Sequence, residues 1–404
     1  MIRRLLGNRV EERSLSFQDI WGRGLDETDI ATASGEVVNS DTAFGVTAVY
    51  AAVRLLSDVT SNLDLSVYYR SEGIERPFRP LPTWIVRMNT NLANHEVIGQ
   101  IVVSLLTDGN AYIATLRDGT GRVINLTVLD PGDITPSVDN DEGVERLTFT
   151  SSSAPGTTFT TRDITMVRGS VIKPGTVKAL SPISAAREMI GTGLGVQRYG
   201  AAFFGNSAIP GAVVEVPGQL SPEGVAQMKA AWNDVHRSSS NSHRLAVLTE
   251  SAKFSTVSLS PEDSQWLSSR EATVQDVARI YGLPPFLLAD TSRATSWGTG
   301  LSEMNTAMVQ YALRPLAGKV TSALTQIMRT EGIAVAYAKF DLAAITRAGP
   351  DRWNSFSKGL QTGVYSINEV RAWEGLPPLE GDKGTGHYVP MNLAPLGDDG
   401  LPEE

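Results

Sequence analysis

Between Ser258 and Met328 the chain reads as a helix, a proline stop, a polar loop and a second long helix, a series that few folds accommodate. The first helix opens Ser260-Pro261-Glu262-Asp263. This supplies an N-cap hydroxyl, a proline suited to the first turn, and acids at the positive end of the helix dipole. Trp266, Arg270, Val274, Val277 and Tyr281 then recur three or four residues apart and share one face. Gly282 and Pro284-Pro285 stop the helix, a rod of roughly 30 Å at about 1.5 Å per residue. The loop Ala289 to Gly300 is polar and small, and after it Leu301, Met304, Met308, Ala312, Leu316, Val320, Leu324 and Ile327 form one stripe. Pro315 removes a hydrogen bond from that second helix and bends it near Tyr311. A rod, a loop and a bent rod suit an architectural device better than a catalytic pocket.

Composition narrows the options further. The hydrophobic share of 41% and charged share of 20% are those of a globular protein with a real core. Cysteine is absent, which excludes disulfides, thiolate nucleophiles and Cys-based zinc sites. The net charge of −9 argues weakly against a tight grip on nucleic acid, which needs clustered Lys and Arg; it does not exclude acidic walls past which DNA slides, and charge alone favours an ordinary, moderately acidic soluble protein. The N-terminus, Met1-Ile2-Arg3-Arg4-Leu5-Leu6, lacks the apolar run of a signal peptide, and Val97 to Leu106 is too short for a membrane span. The expectation is a soluble, cytoplasmically made protein with no membrane partner.

Along the chain, residues 1–40 read as a polar arm ordered by a partner. Thr47 to Leu63, Trp84 to Met88 and His95 to Asp108 read as helices, and Leu65 to Arg70 as a strand. Ala111 to Leu116 and Val123 to Leu129 form a hairpin around Asp118-Gly119-Thr120-Gly121, followed by a turn at Asp130-Pro131-Gly132-Asp133. Leu147 to Thr150 and Ile164 to Val167 complete an α+β unit. Ile183 to Phe204 is a long helix opened by Ser181-Pro182, and its glycines 191, 193, 195 and 200 weaken it but admit a close neighbour. A small α/β insert (strands 212–216, 245–248 and 254–259, helix 221–236) separates two long antiparallel rods and caps their shared end. Strands near Ile333 to Phe340 and three short helices carrying Trp353, Phe356, Leu360, Ile367, Val370 and Trp373 follow, then a loose tail.

Motifs for chemistry are weak. Gly191-Thr192-Gly193-Leu194-Gly195 lies inside a helix pattern rather than between strand and helix, so it reads as packing. Gly318-Lys319 lacks the upstream glycine of a phosphate loop. His236 and His243 are seven apart across a Ser-rich loop, which is not metal-ligand spacing. Ser355-Phe356-Ser357-Lys358 has none of the companion motifs of the S-x-x-K enzymes. No cofactor, metal site or catalytic residue is assigned. The loop Thr291 to Gly300 is either an exposed connector or a mobile element touching a nucleic-acid backbone through hydroxyls, Arg293 and Trp297.

Taken together, these segments resemble the portal proteins of tailed bacteriophages and prophages over roughly residues 44–390. The resemblance rests on Val49 to Asp58, Asp108-Gly109-Asn110-Ala111-Tyr112, Leu129-Asp130-Pro131, Leu180-Ser181-Pro182-Ile183, and Phe203-Phe204-Gly205-Asn206 leading to Pro210-Gly211. Leu259-Ser260-Pro261-Glu262-Asp263 adds to it, as does Asn368-Glu369-Val370-Arg371 with Gly375-Leu376-Pro377-Pro378-Leu379. Val277-Ala278-Arg279-Ile280-Tyr281-Gly282-Leu283-Pro284-Pro285 is its most specific piece, and the order and spacing of the segments make it strong.

The resemblance implies an α+β portal fold: arm 1–40, wing 41–180, first stem helix 181–206, clip 207–258 and second stem helix 259–288. A tunnel loop 289–300, a tunnel helix with returning wing strands 301–345, crown helices 346–385 and a flexible tail 386–404 follow. It implies a homo-oligomeric ring of about twelve copies at one capsid vertex of the virion, with double-stranded DNA passing along its axis. Implied partners are the terminase large subunit, the major capsid protein and scaffold, and the head–tail adaptor; no catalytic role is implied. By position, Thr291, Ser292, Arg293, Thr295, Ser296 and Trp297 face the channel. Arg198 and Arg270 line the stem channel or pair with acids of a neighbouring subunit. Arg237, His243 and Arg244 serve partner docking in the clip or are solvated charges. A phage-encoded hydrolase and a different virion component are the competing readings.

Overall fold

The computed structural model describes residues 32–141, 144–205, 212–215, 221, 223–224, 226, 253–256, 261–290, 298–342, 345 and 350–388. The chain divides into two compact units. One comprises Met1–Ala52, Pro182–Ile280 and Pro285–Ser292; the other comprises Val53–Ser181, Tyr281–Pro284 and Arg293–Glu404.

The second unit holds the sheets. Helix α2, Thr47–Ser61, ends in it, after the short α1, Ser40–Ala43, of the first unit. Strand β1, Leu65–Ser71, pairs with β2, Ile74–Pro77, and with the distant β11, Ala336–Phe340, in the order β11-β1-β2. Helices α3, Thr83–Val86, and α4, Asn94–Thr107, lead to the hairpin of β3, Asn110–Arg117, and β4, Val123–Leu129, which β8, Ile164–Arg168, extends on the β3 side. A third sheet has the order β5-β6-β7, from Ile134–Asp141, Val144–Ser151 and Thr158–Thr160. All pairings are antiparallel. Strands β2, β5 and β7 escape the sequence pattern. In β5 the sequence carries Pro136 among polar residues, tolerated because β5 is an edge strand that needs no ladder bond on its outer side.

Two polar devices fix this unit. Glu331 accepts the Trp84 indole N–H at 2.6 Å and the Val123 backbone N–H at 2.7 Å, joining three segments through one carboxylate. The buried Asn110 amide pairs with the backbone of Ala179 in both directions, at 3.0 and 2.8 Å. Beside it Gly109 has φ +73°, and a Cβ there would fall 2.4 Å from the Leu180 carbonyl oxygen, so only glycine fits.

Helices α5, Pro182–Ala185, α6, Arg187–Gly205, and α7, Pro261–Tyr281, follow the sequence reading, α5 and α6 being separated only at Ala186. Gly282 has φ +66° directly after α7, the left-handed stop expected of it. Strands β9, Ala212–Glu215, and β10, Lys253–Thr256, pair in the first unit.

The bent helix departs from its paper stripe in an informative way. Helix α8, Gly298–Met308, and α9, Arg314–Thr330, are joined by a π turn at Val309–Leu313. Pro315 has no N–H for the Tyr311 carbonyl, and the Arg314 N–H reaches back to Val309 instead. The wide turn shifts the buried face by one residue: Met308, Leu313, Leu316, Val320 and Leu324 are buried, whereas Ala312 is half-buried and Met304 exposed. The α9 face packs on β11 and β8.

Near the C-terminus, α10, Pro350–Gln361, α11, Ile367–Trp373, and α12, Asp382–Thr385, gather Phe356, Tyr365 and Trp373 into one ring cluster. Arg352 pairs with Glu374 at 2.7 Å beside it.

Candidate functional site

Two expected site residues are described, Arg198 on α6 and Arg270 on α7, and the glycines of α6 decide what those helices can touch. A Cβ at Gly193 would stand 3.0 Å from the Thr273 Cγ2 of α7 and 3.4 Å from Val46, so the close neighbour expected from sequence is α7. On the opposite side of α6, a Cβ at Gly191 would fall 2.4 Å from the Thr32 hydroxyl oxygen, and one at Gly195 3.6 Å from the Ser34 Cβ. Residues 191 and 193 are about 200° apart around a helix, so the two contacts use two faces.

A groove of about 420 Å³ opens on the α7 side, between the first turn of α2 and the middle of α6 and α7. Thr47 and Thr273 give it hydroxyls, Gln197 an amide, Arg270 a cation, and Glu271 and Asp290 two carboxylates; Val196 and Val274 supply apolar wall. Among the described residues no histidine lines it, and its hydroxyls, amide, cation and carboxylates offer hydrogen bonding and shape. At its edge the Pro285–Leu288 turn ends in Ala289 at φ +63°, a left-handed position unusual for a residue with a side chain. The Asp290 N–H closes on the Pro285 carbonyl and its carboxylate accepts from the Gln275 amide at 3.2 Å. The root of the following loop is thereby fixed to α7.

Arg270 is exposed on α7 and lines this groove. Arg198 reaches Glu36 of the same chain at 2.6 Å, its own side chain 74% exposed and that of Glu36 only 7%. Thr291, Ser292, Arg293, Thr295, Ser296 and Trp297 lie outside the described residues, as do Arg237, His243 and Arg244. Sequence reasoning missed Thr32, Glu36 and Glu188. The available signal was the spacing of Glu188, Gly191, Gly195 and Arg198, which puts two small residues between two charges on one helix face. Among the described residues no cluster of three potential metal ligands occurs, and no helix is long and apolar enough to cross a membrane.

The sequence matches the family model of the phage portal protein over residues 47–375. The probable portal protein of Streptomyces phage phiC31 is 40% identical over 382 residues, covering 92% of this chain and 83% of the relative. The portal protein of Enterobacteria phage HK97 is 24% identical over 365 residues, covering 88% of this chain and 85% of the relative. Among solved structures, a chain in the neck of an empty gene transfer agent particle, computed with C6 symmetry, aligns with TM-score 0.64 at 20% identity, over 88% of this chain and 94% of that one. A chain in the neck of the native particle, computed with C12 symmetry, aligns with TM-score 0.61 at 20% identity, over 82% and 90%. At that identity the two necks establish the fold.

Proposed function

The chain belongs to the phage portal protein family and carries its α+β fold, and from that premise we propose that it assembles into a ring of about twelve copies through which double-stranded DNA enters and leaves the head. The observation that carries this reading is the family match from residue 47 to 375, which runs through both compact units rather than through one shared module. The C12 symmetry in which one neighbour's particle neck was computed supports the stoichiometry. The first unit supplies stem and clip, and the clip docks the terminase during packaging and the head–tail adaptor afterwards. The sheets of the second unit form the wing toward the capsid shell, and its last helices form the crown. Thr291 to Trp297 form the tunnel loop and meet passing DNA from a root fixed by Asp290 and Ala289. The ring is a conduit, and ATP hydrolysis belongs to the motor docked on it. Both named relatives are portal proteins, in keeping with a structural role.

Negative-stain imaging of the full-length protein with its mass in solution tests the ring. Annular particles near the mass of about twelve 43.4 kDa chains are expected. A chain that stays monomeric at high concentration and with its capsid partners present would overturn the reading. Replacing Thr291 to Trp297 by a short glycine linker should leave rings intact and impair DNA packaging or retention. Normally filled particles from that variant would sink the tunnel assignment.

A further inference from the structure

The two faces of α6 are used differently, and the face away from α7 carries a device built from the segment just before α1. Thr32 to Glu36 is a closed turn. The Thr32 N–H donates to the Glu36 carbonyl at 2.8 Å, the Gly35 N–H to the Thr32 carbonyl at 2.8 Å, and the Thr32 hydroxyl bridges the Glu36 carbonyl and N–H at 2.9 and 3.2 Å. Gly35 takes φ +79° to allow it. Both ends of the turn are buried while residues 33–35 are exposed, so the turn sits on the molecule by its ends.

Its seat is the stripe Glu188, Gly191, Gly195 and Arg198. The Glu188 carboxylate accepts the Ala33 N–H at 3.0 Å. Thr32 fills the notch at Gly191, and Ser34 lies over Gly195. The Glu36 carboxylate, shielded from water, meets the Arg198 guanidinium at 2.6 Å. A shielded carboxylate is tolerable only while paired. The seat is made where α6 is intrinsically weakest, since Gly191, Gly193, Gly195 and Gly200 all disfavour a helix.

We propose that Thr32–Glu36 is a strap, latched by the Glu36–Arg198 pair, and that seating the strap and ordering the first three turns of α6 are one cooperative event. Arg198 is then a positioning residue for the stem helix rather than a contact for DNA. The inference stands independently of the ring reading, because every contact in it lies within one chain and one compact unit.

Hydrogen–deuterium exchange on the full-length protein, wild type and variants compared in the same assembly state, tests it. Glu36→Gln and Arg198→Gln should speed exchange by about tenfold or more both at residues 32–38 and at 187–200, leaving strands β3 and β4 unchanged. Gly191→Ala separates cause from propensity: it favours the helix intrinsically, yet it should speed exchange at both places because Thr32 no longer fits. The charge-swapped double variant E36R/R198E should recover part of the protection at both. Unchanged exchange at 32–38 in the latch variants would overturn the strap. Fast exchange at 32–38 with 187–200 as slow as wild type would overturn the coupling. Should a latch variant also loosen β3 and β4, Thr32→Val, which removes the turn's hydroxyl bridge at constant shape, decides the same two outcomes.

Discussion

The two compact units bury different kinds of side chain. In the second, Trp84, Met88, Tyr112 and Phe149 are fully buried, with Leu and Ile around them. In the first, every buried hydrophobic among the described residues is Ala, Val or Ile, from Val38 and Ala43 to Val277 and Ala278. One unit is held by large side chains filling space, the other by backbones brought close over small residues. Burial of a large side chain stabilises by about 1.5–3 kcal/mol, so among the described residues large-side-chain burial contributes more to the second unit. The first draws more of its stability from geometry: glycine notches, the strap, and the fixed root of the loop.

The largest expected effects lie in the second unit. Phe149 is fully buried and meets Tyr112 edge to face at 6.1 Å, within a cluster that includes Ile134 and Ile164. Phe149→Ala should cost about 3–5 kcal/mol in chemical denaturation of that unit. A loss below about 1 kcal/mol would mean that large side chains do not carry the unit and the comparison fails. Next is Glu331→Leu, which strips the acceptor from both the Trp84 indole and the Val123 amide. Each donor left unpaired costs about 1–3 kcal/mol, so about 2–6 kcal/mol is expected for the two, with faster amide exchange in β4.

These stabilising elements were unequally legible in the sequence. Helices α2, α4, α5, α6 and α7 are legible because their signals are local: periodic apolar positions, Pro182 opening α5 and Pro261 opening α7, Gly282 at a stop. The hairpin of β3 and β4 is legible for the same reason. The pairing of β1 with β11 joins residues some 270 apart, and no local pattern encodes it. The π turn was half legible, since Pro315 announced a defect but not that the buried face would move from Ala312 to Leu313. Of the candidate site, the glycines of α6 announced close approach without naming the occupant. Arg198 reads in the sequence as a channel cation or one paired with a neighbouring subunit's acid; its same-chain partner Glu36 is not legible because it lies in a segment that reads as a loose polar arm.

Alkaline pH offers a third test that acts on the second unit alone. Burial pushes the phenols of Tyr112 and Tyr281 well above the ordinary tyrosine range. Below about pH 10 both folded and unfolded forms keep these protons and the contribution is intact. As pH rises past about 10 the unfolded chain releases protons that the folded one retains, and stability falls by up to about 1.4 kcal/mol per pH unit per tyrosine. Tyr281 donates to the Leu106 carbonyl at 3.1 Å, whereas the buried Tyr112 hydroxyl has no hydrogen-bond partner among the described residues. Tyr112→Phe should therefore be neutral or mildly stabilising at pH 7 and Tyr281→Phe should cost about 1 kcal/mol, while each removes one tyrosine's share of the alkaline slope. Denaturation midpoints at pH 8 and 11 read all of this.

The smallest effect discriminates most finely, because it asks the same substitution of both units. Gly318 lies exposed in the interior of α9, in the second unit, and among the described residues nothing outside its own helix backbone comes within 4 Å of where a Cβ would stand. Gly318→Ala should stabilise by about 0.5–1 kcal/mol from helix propensity alone. Gly193→Ala in α6 gains the same propensity but sets its methyl 3.0 Å from Thr273, tighter than ordinary carbon contact. To accept it, α7 must retreat by a few tenths of an ångström, and the propensity gain should be cancelled or reversed. Equal stabilisation by both substitutions would show that the glycines of α6 are not there for close approach. A gain at 318 with none at 193 would locate the first unit's stability where its small buried residues already point, in the separation of backbones.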